Sequence, residues 1–179
     1  SSNGFLGNTP ARHVILLSLH EKTVCTVLIY SLLHSSGAIT FMNSGKVGWG
    51  SMIETERLLI MEAVESEIDR IIELESHKDN RDFLWIGTYE EHKAEIADKN
   101  HLLLVFKRKD DLMIVGYALI RLDYKSEVLE LRRIAISEKG KGYGKEGMAA
   151  LLNYAFREQN INRFWLDVYP DNTIGIQLY

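Results

Sequence analysis

The segment Leu129-Glu-Leu-Arg-Arg-Ile-Ala-Ile-Ser-Glu-Lys-Gly-Lys-Gly-Tyr-Gly-Lys145 carries an apolar strand pattern directly into three glycines at alternate positions. Apolar residues then recur at helical spacing, which predicts an amphipathic helix with one buried face: Met148, Leu151, Leu152, Ala155 and Phe156. Glycines let the backbone N–H groups of a turn approach a phosphate closely, and a helix N-terminus adds about half a positive charge. The segment therefore predicts a strand, a phosphate-binding turn and a helix.

Two nucleotide-binding interpretations of this turn fail on spacing. A Walker A loop needs a glycine before, and Ser or Thr after, its Gly-Lys pair, but Lys139 and Glu146 stand at those places around Gly144-Lys145. Gly142 to Gly147 matches G-x-G-x-x-G, yet a dinucleotide-binding turn follows the first strand of its fold. Too little of the 179-residue chain follows Gly147 for that sheet. A glycine-rich turn without a ligand stays open as a further interpretation.

The flanking sequence predicts alternating strands and helices. The predicted strands cover 55–63, 102–106, 113–122, 128–136 and 162–169, and the predicted helices cover 65–75, 89–98, the segment from Gly142 and a last helix from Asn172. Hairpins followed by a late strand–helix–strand crossover predict an α/β fold. Its central sheet would be mixed and mostly antiparallel, with helices on its faces.

Composition restricts the class of protein. A chain of 179 residues supports one well-buried domain, and a net charge of -4 argues against a nucleic-acid partner. The acidic balance favours a cationic substrate or ligand. The single Cys25 and the six unclustered histidines predict no disulfide and no metal site, in keeping with the cytoplasm.

The first 51 residues differ from the rest. They hold only four charged residues, Arg12, Glu21, Lys22 and Lys46, against 21 basic and 25 acidic residues in the whole chain. The apolar run from Val24 to Leu33 is too short to span a bilayer, so no membrane association is predicted. We expect residues 1–51 to be either an extension that is not native, with Met52 as the natural start, or an unusual strand pair before a domain at 52–179.

Three segments resemble the GNAT superfamily of N-acetyltransferases, whose fold is the mixed sheet predicted above. The turn Lys139-Gly140-Lys141-Gly142-Tyr143-Gly144 is similar to the acyl-CoA signature of that family, although Lys139 stands where Arg or Gln is usual. Thr55 to Ile60 resembles the family's first strand, and Asp171 to Tyr179 resembles its Asn-x-x-Ala-x-x-Leu-Tyr segment.

The resemblance implies transfer of an acetyl group from acetyl-CoA, used as a co-substrate, to an amine. It implies that acetyl-CoA is bound by one set of residues: Ile134, Ala135, Ile136, Lys139, Gly140, Lys141, Gly142, Tyr143, Gly144, Lys145 and Asn172. Tyr179 matches the tyrosine that protonates the coenzyme A thiolate, and Glu130 is the candidate base. A packing role for Tyr179, and an ion pair of Glu130 with Arg132 or Arg133, are the structural alternatives.

The resemblance also leaves open questions. Family members continue beyond this tyrosine with two more strands, so we expect either a fragment or a replacement of those strands by the apolar segment 13–33. Trp85, Tyr89 and His92 fall where the family builds its acceptor wall, and we expect them to pack. The acceptor would be a small molecule or a peptide, and a homodimer is compatible with the sequence. An acyl-CoA-binding module without efficient turnover is the alternative function.

Overall fold

The computed structural model describes residues 13–18, 40–42, 52–158, 161 and 163–168. The strands are β1 (His13–Ser18), β2 (Thr40–Met42), β3 (Met52–Glu54), β4 (Leu58–Glu62), β5 (His101–Arg108), β6 (Ile114–Asp123), β7 (Val128–Ile136) and β8 (Arg163–Val168). The helices are α1 (Ile68–Ser76), α2 (Tyr89–Ala97) and α3 (Tyr143–Asn153), with a 3-10 turn at Glu65–Glu67 and a π-helical turn at Tyr154–Glu158. Within these ranges no helix has the length and apolar character needed to cross a bilayer.

The strands form one sheet in the order β1-β8-β7-β6-β5-β4-β3-β2. Every neighbouring pair is antiparallel except β7 and β8, which are parallel and are connected through α3. The predicted mixed, mostly antiparallel sheet with helices is thereby confirmed.

Helices cover the two faces of this sheet. The helix α3 packs on one face, where the predicted apolar residues are all buried: Met148, Leu151, Leu152, Ala155 and Phe156. The helix α1 packs on the other face and places Ile71 and Leu74 against Tyr117, Leu119 and Ala135. Alternation along the strands sends neighbouring residues to these two separate clusters.

The first predicted strand, 55–63, is wrong at its start. Thr55 begins the turn between β3 and β4, in which its hydroxyl accepts a hydrogen bond from the N–H of Leu58 at 2.9 Å. Its backbone N–H also donates to the carbonyl of Leu58 at 2.9 Å. A threonine that satisfies the backbone of its own turn in this way ends the strand. The helix predicted at 65–75 likewise starts as a 3-10 turn and becomes α-helical only at Ile68.

Both edges of the sheet include residues from the first 51. β1 pairs antiparallel with β8, from His13 opposite Val168 to Ser18 opposite Arg163, and β2 pairs with β3. The edge of β8 that the sequence left open is thus hydrogen-bonded to β1. Residues 24–33 lie outside the described residues, so the proposed strand pair at 13–33 stays a prediction.

Candidate functional site

The strands β7 and β8 part in the middle of the sheet. Their parallel ladder runs from Val128 opposite Arg163 to Leu131 opposite Leu166, and β7 continues beyond this last pair to Ile136. Beyond Leu131 the backbone of β7 is paired only with β6 among the described residues. Within the part of the chain that the structure describes, one backbone edge of β7 is therefore unpaired and suits another group.

A β-bulge lies where the strands part. Ile120 of β6 is opposite Leu131, but the next residue of β6, Leu119, is opposite Arg133, so Arg132 is an extra residue. A bulge bends its strand and changes the direction of the following backbone groups. Ile134, Ala135 and Ile136, predicted to bind acetyl-CoA through their backbone, follow this bulge directly.

The glycine-rich turn comes immediately after β7 and leads into α3. Gly140 and Gly142 have φ of 77° and 83°, and Gly142 is the N-cap residue of α3. Side chains rarely adopt these left-handed conformations, so the turn requires glycine there. A Cβ on Gly140 would meet no atom within 4 Å, which places this part of the turn beside open space. An exposed turn at a helix N-terminus is a geometry that suits a phosphate group.

Two of the three lysines in the turn already have partners. Lys139 donates to the side-chain oxygen of Asn80 at 2.7 Å, and Lys141 forms an ion pair with Glu138. Although Lys139 as a residue is exposed, partial loss of hydration at its amine lowers the pKa of that amine. Lys145 is exposed in the first turn of α3.

Sequence reasoning missed two residues that hold this turn. Arg57, in the turn before β4, donates through Nη1 to the carbonyl of Lys141 at 2.8 Å, and its guanidinium lies 4.7 Å from the ring centre of Tyr143. Glu146, only 7% exposed, accepts from Nε and Nη2 of Arg57, each at 2.7 Å. The Thr-Glu-Arg pattern at 55–57 was recognised as a strand start, but nothing in it indicated a contact with residue 146.

The candidate base Glu130 lies on β7 just before the strands part. Its carboxylate accepts from Arg132 at 3.3 Å and lies 3.6 Å from Nη1 of Arg121, and its side chain is 14% exposed. The alternative of an ion pair with Arg132 is therefore present in the structure. Arg133 is directed elsewhere, to Glu75 and Glu95.

A buried ion-pair cluster lies on the α1 side of β7 and comprises Glu75, His92, Glu95, Tyr117 and Arg133. Glu75 and His92 are fully buried, and His92 Nε2 lies 3.1 Å from Glu75 while Nδ1 lies 2.8 Å from Glu95. Tyr117 donates to Glu75, and Arg133 reaches both carboxylates. Two carboxylates balance two cations here, which is how buried charges are tolerated.

The pKa values of His92 and Glu75 in this cluster depart from their ordinary values. Burial by itself lowers the pKa of His92, but hydrogen bonds to Glu75 and Glu95 outweigh this effect and raise the pKa to about 9. Burial by itself raises the pKa of Glu75, but hydrogen bonds from His92, Tyr117 and Gly87 bring it below its ordinary value. His92 is thus an imidazolium at neutral pH.

The predictions for the other candidate residues are in part confirmed, in part wrong and in part still predictions. The expectation that the acceptor-wall residues pack is confirmed for His92 and is wrong for Trp85, which is 70% exposed. The hydroxyl of Tyr89 donates to Glu65 at 3.1 Å on the surface. Asn172 and Tyr179 lie outside the described residues, so their roles stay predictions. No group of three or more His, Cys, Asp or Glu side chains within the described ranges is arranged to hold a metal ion.

Solved structures of acetyltransferases share this fold. A GNAT-family acetyltransferase from Bacillus anthracis matches with a TM-score of 0.61 at 20% identity, over 71% of this chain and 79% of that one. Spermidine N-acetyltransferase from Vibrio cholerae, solved in complex with CoA and spermine, gives 0.61 at 18% identity over 69% and 78%. A dodecameric structure of spermidine N-acetyltransferase from Vibrio cholerae in an intermediate state gives 0.57 at 19% identity over 69% and 76%.

The sequence profile of the Acetyltransferase (GNAT) family matches residues 60–179. This range contains the parting of β7 and β8, the bulge at Arg132, the glycine-rich turn and α3. The chain therefore belongs to the GNAT acetyltransferase family.

Proposed function

We propose that this protein transfers the acetyl group of acetyl-CoA to the amine of a small molecule or peptide. The observation that carries the proposal is the parting of β7 and β8 after Leu131 and Leu166, next to a turn with two left-handed glycines. A free backbone edge suits the amide groups of the pantetheine arm, and the turn suits the pyrophosphate.

Each segment of this site has a distinct part in binding acetyl-CoA. The backbone of Ile134, Ala135 and Ile136 would pair with the pantetheine arm and polarise the thioester carbonyl. The segment Lys139 to Lys145 would hold the pyrophosphate through its N–H groups. The side chains of Ala135 and Ile136 are buried in the core, so the strand offers its backbone from a rigid support.

The chemical step is a direct displacement. The amine nitrogen attacks the thioester carbon, a C–N bond forms, the C–S bond breaks, and coenzyme A leaves as a thiolate. Glu130 would accept the proton lost by the amine, directly or through water, and Tyr179 would give a proton to the thiolate. Asn172 would contact the arm of the cofactor. These three roles rest on the family resemblance and on the position of Glu130 beside the parting strands.

One observation favours an acyl-CoA-binding module without efficient turnover as a second candidate. Glu130 already contacts Arg132 and Arg121, so its carboxylate oxygens have partners before any amine is bound. Turnover with any amine at a rate well above hydrolysis would exclude this candidate.

Calorimetric titration of acetyl-CoA and NADH into the full chain tests the cofactor assignment. We expect acetyl-CoA to bind, NADH not to bind, and Gly142→Glu to abolish acetyl-CoA binding, since a carboxylate repels the pyrophosphate. Glu90→Gln, an exposed change on α2, is the control for handling and folding. A folded wild type that does not bind acetyl-CoA contradicts the proposal.

A further inference from the structure

An open pocket of 310 Å³ lies on the sheet beside the candidate base. Its lining includes Glu130 of β7 and Trp165 of β8, which are opposite each other in the last pair but one before the strands part. Leu129, Leu131 and Phe164 belong to the core under α3, so alternation directs Glu130 and Trp165 to the opposite face. The pocket is thus on the face that α1 covers elsewhere, next to the place where the thioester is expected.

Cationic groups surround Glu130 in this pocket. Arg121 projects from β6 and Arg163 from β8, so the two guanidinium groups are on the strands that flank β7. The side chain of Arg121 is 57% exposed, and its contact with Glu130 is long, at 3.6 Å. Arg163 is exposed. Each guanidinium has five N–H donors in a planar fork, a geometry that suits bidentate binding of a carboxylate.

The carboxylates of the pocket already have hydrogen-bond or ionic partners within the protein. Asp123 already accepts hydrogen bonds from the backbone N–H groups of Lys125 and Ser126, at 3.1 and 3.2 Å. Glu130 has its two arginine neighbours. Trp165 and Val128 add an apolar surface between the charged groups. The pocket therefore has guanidinium donors beyond the one that contacts Glu130, and of its two carboxylates Glu130 is the one beside the end of the β7–β8 ladder.

We propose that the amine acceptor also carries a carboxylate, which Arg121 and Arg163 bind while the amine lies at Glu130. This inference rests on the proposed function and names its acceptor class. Arg163 is opposite Val128, two residues or about 6.6 Å before Glu130 along the strand direction, whereas Arg121 is directly opposite Glu130. An acceptor whose amine and carboxylate are separated by a few methylene groups spans this distance. A polyamine has no group for the two arginines, although the acidic composition of the chain favours a cation.

Two pairs of amines test the inference, because the members of each pair differ at a single group. They are 4-aminobutyrate with 4-aminobutanamide, and ornithine with putrescine. Release of coenzyme A thiol is followed with acetyl-CoA as donor, and kcat/KM is compared within each pair. We expect the carboxylate-bearing member to be used at least tenfold better by the wild type. Equal use of the two members, or preference for 4-aminobutanamide or putrescine, overturns the inference.

Variants of the two arginines test whether their side chains produce the preference for a carboxylate-bearing amine. Arg163→Gln and Arg121→Gln should each reduce the preference for 4-aminobutyrate over its amide about tenfold, and the second variant guards against misfolding of the first. Arg81→Gln is the matched control, since Arg81 is an exposed arginine outside the pocket, and it should leave the preference unchanged. A preference that survives both pocket variants contradicts the inference.

Binding separates this inference from the proposed activity. Calorimetry with coenzyme A present measures the affinity for 4-aminobutyrate and for 4-aminobutanamide without any turnover. If no amine is acetylated but 4-aminobutyrate binds more tightly, and Arg163→Gln removes the difference, the transfer activity fails while the ligand class stands. If the two compounds bind equally, the ligand class fails whatever the enzyme's activity.

Discussion

Glu146 and Arg57, 89 positions apart, connect the first turn of α3 to the turn before β4. The carboxylate accepts the backbone N–H of Arg57 at 2.8 Å as well as two guanidinium donors, and it also accepts the hydroxyl of Thr55 at 2.5 Å. Arg57 in turn donates to Lys141, so one ion pair fixes both sides of the glycine-rich turn. The candidate phosphate site is thereby held in shape by residues that do not belong to the signature.

Removal of this ion pair should loosen the turn. Arg57→Ala leaves the buried Glu146 with fewer donors, and we expect a loss of about 1–3 kcal/mol in the free energy of unfolding. Acetyl-CoA affinity should fall as well, because the carbonyl of Lys141 loses its donor. Urea unfolding and calorimetry measure the two effects. As a control, Lys93→Ala breaks the exposed ion pair with Glu65 and should change neither the stability nor the acetyl-CoA affinity. If Lys93→Ala and Arg57→Ala have equal effects, the ion pair of Arg57 does not hold the turn.

Stability should depend on pH through His92. Its pKa rises on folding from an ordinary 6.5 to about 9, so its contribution is complete below pH 6.5 and is lost as the pH rises through about 9. At roughly 1.4 kcal/mol per tenfold change, this contribution is on the order of 3 kcal/mol. Urea unfolding from pH 6 to 10 measures it.

The His92→Gln variant tests whether His92 causes this dependence of stability on pH. His92→Gln should be less stable than the wild type at pH 6 and should lose most of the decline between pH 6.5 and 9. His77→Gln, which alters an exposed histidine, should keep the wild-type profile. An unchanged decline in His92→Gln means that another group is responsible.

Two glycines of the turn and helix should respond differently to alanine. A Cβ on Gly147 would lie 2.7 Å from the buried ring of Phe106, so Gly147→Ala should cost about 1–3 kcal/mol through overpacking. Gly140→Ala meets no atom, and its left-handed backbone alone costs about 1–2 kcal/mol. Denaturant midpoints measure both. Helix propensity alone predicts stabilisation by Gly147→Ala, and that result would contradict the packing argument.

The candidate base predicts a kinetic effect. Glu130→Gln keeps the size of the side chain but cannot accept a proton, so we expect kcat to fall at least 100-fold, in the range typical of a general base. The affinity for acetyl-CoA should not change, because Glu130 lies away from the turn. Steady-state kinetics and calorimetry measure the two quantities, with Glu90→Gln as the matched control. An unchanged kcat assigns Glu130 to a structural ion pair with Arg132 and Arg121.

Individual helices and turns could be predicted from the sequence where a single local pattern of residues was dominant. The helical spacing from Met148 to Phe156 predicted a buried face, and the glycines from Gly140 to Gly144 predicted a turn, because each property depends on residues close together in the chain. The strand start at Thr55 was predicted wrongly. There a side-chain hydrogen bond to Leu58 competes with the sheet, and hydropathy does not register it.

The sequence by itself determined the class of fold, the family and the place of the glycine-rich turn. Only the tertiary structure decided which charged groups meet: Arg57 with Glu146, Arg133 with Glu75 and Glu95, and Arg121 with Glu130. The reason is physical. Hydrophobic periodicity is a short-range property of the chain, whereas ion pairs between distant segments depend on sheet order, strand register and a bulge at Arg132, which no local pattern specifies.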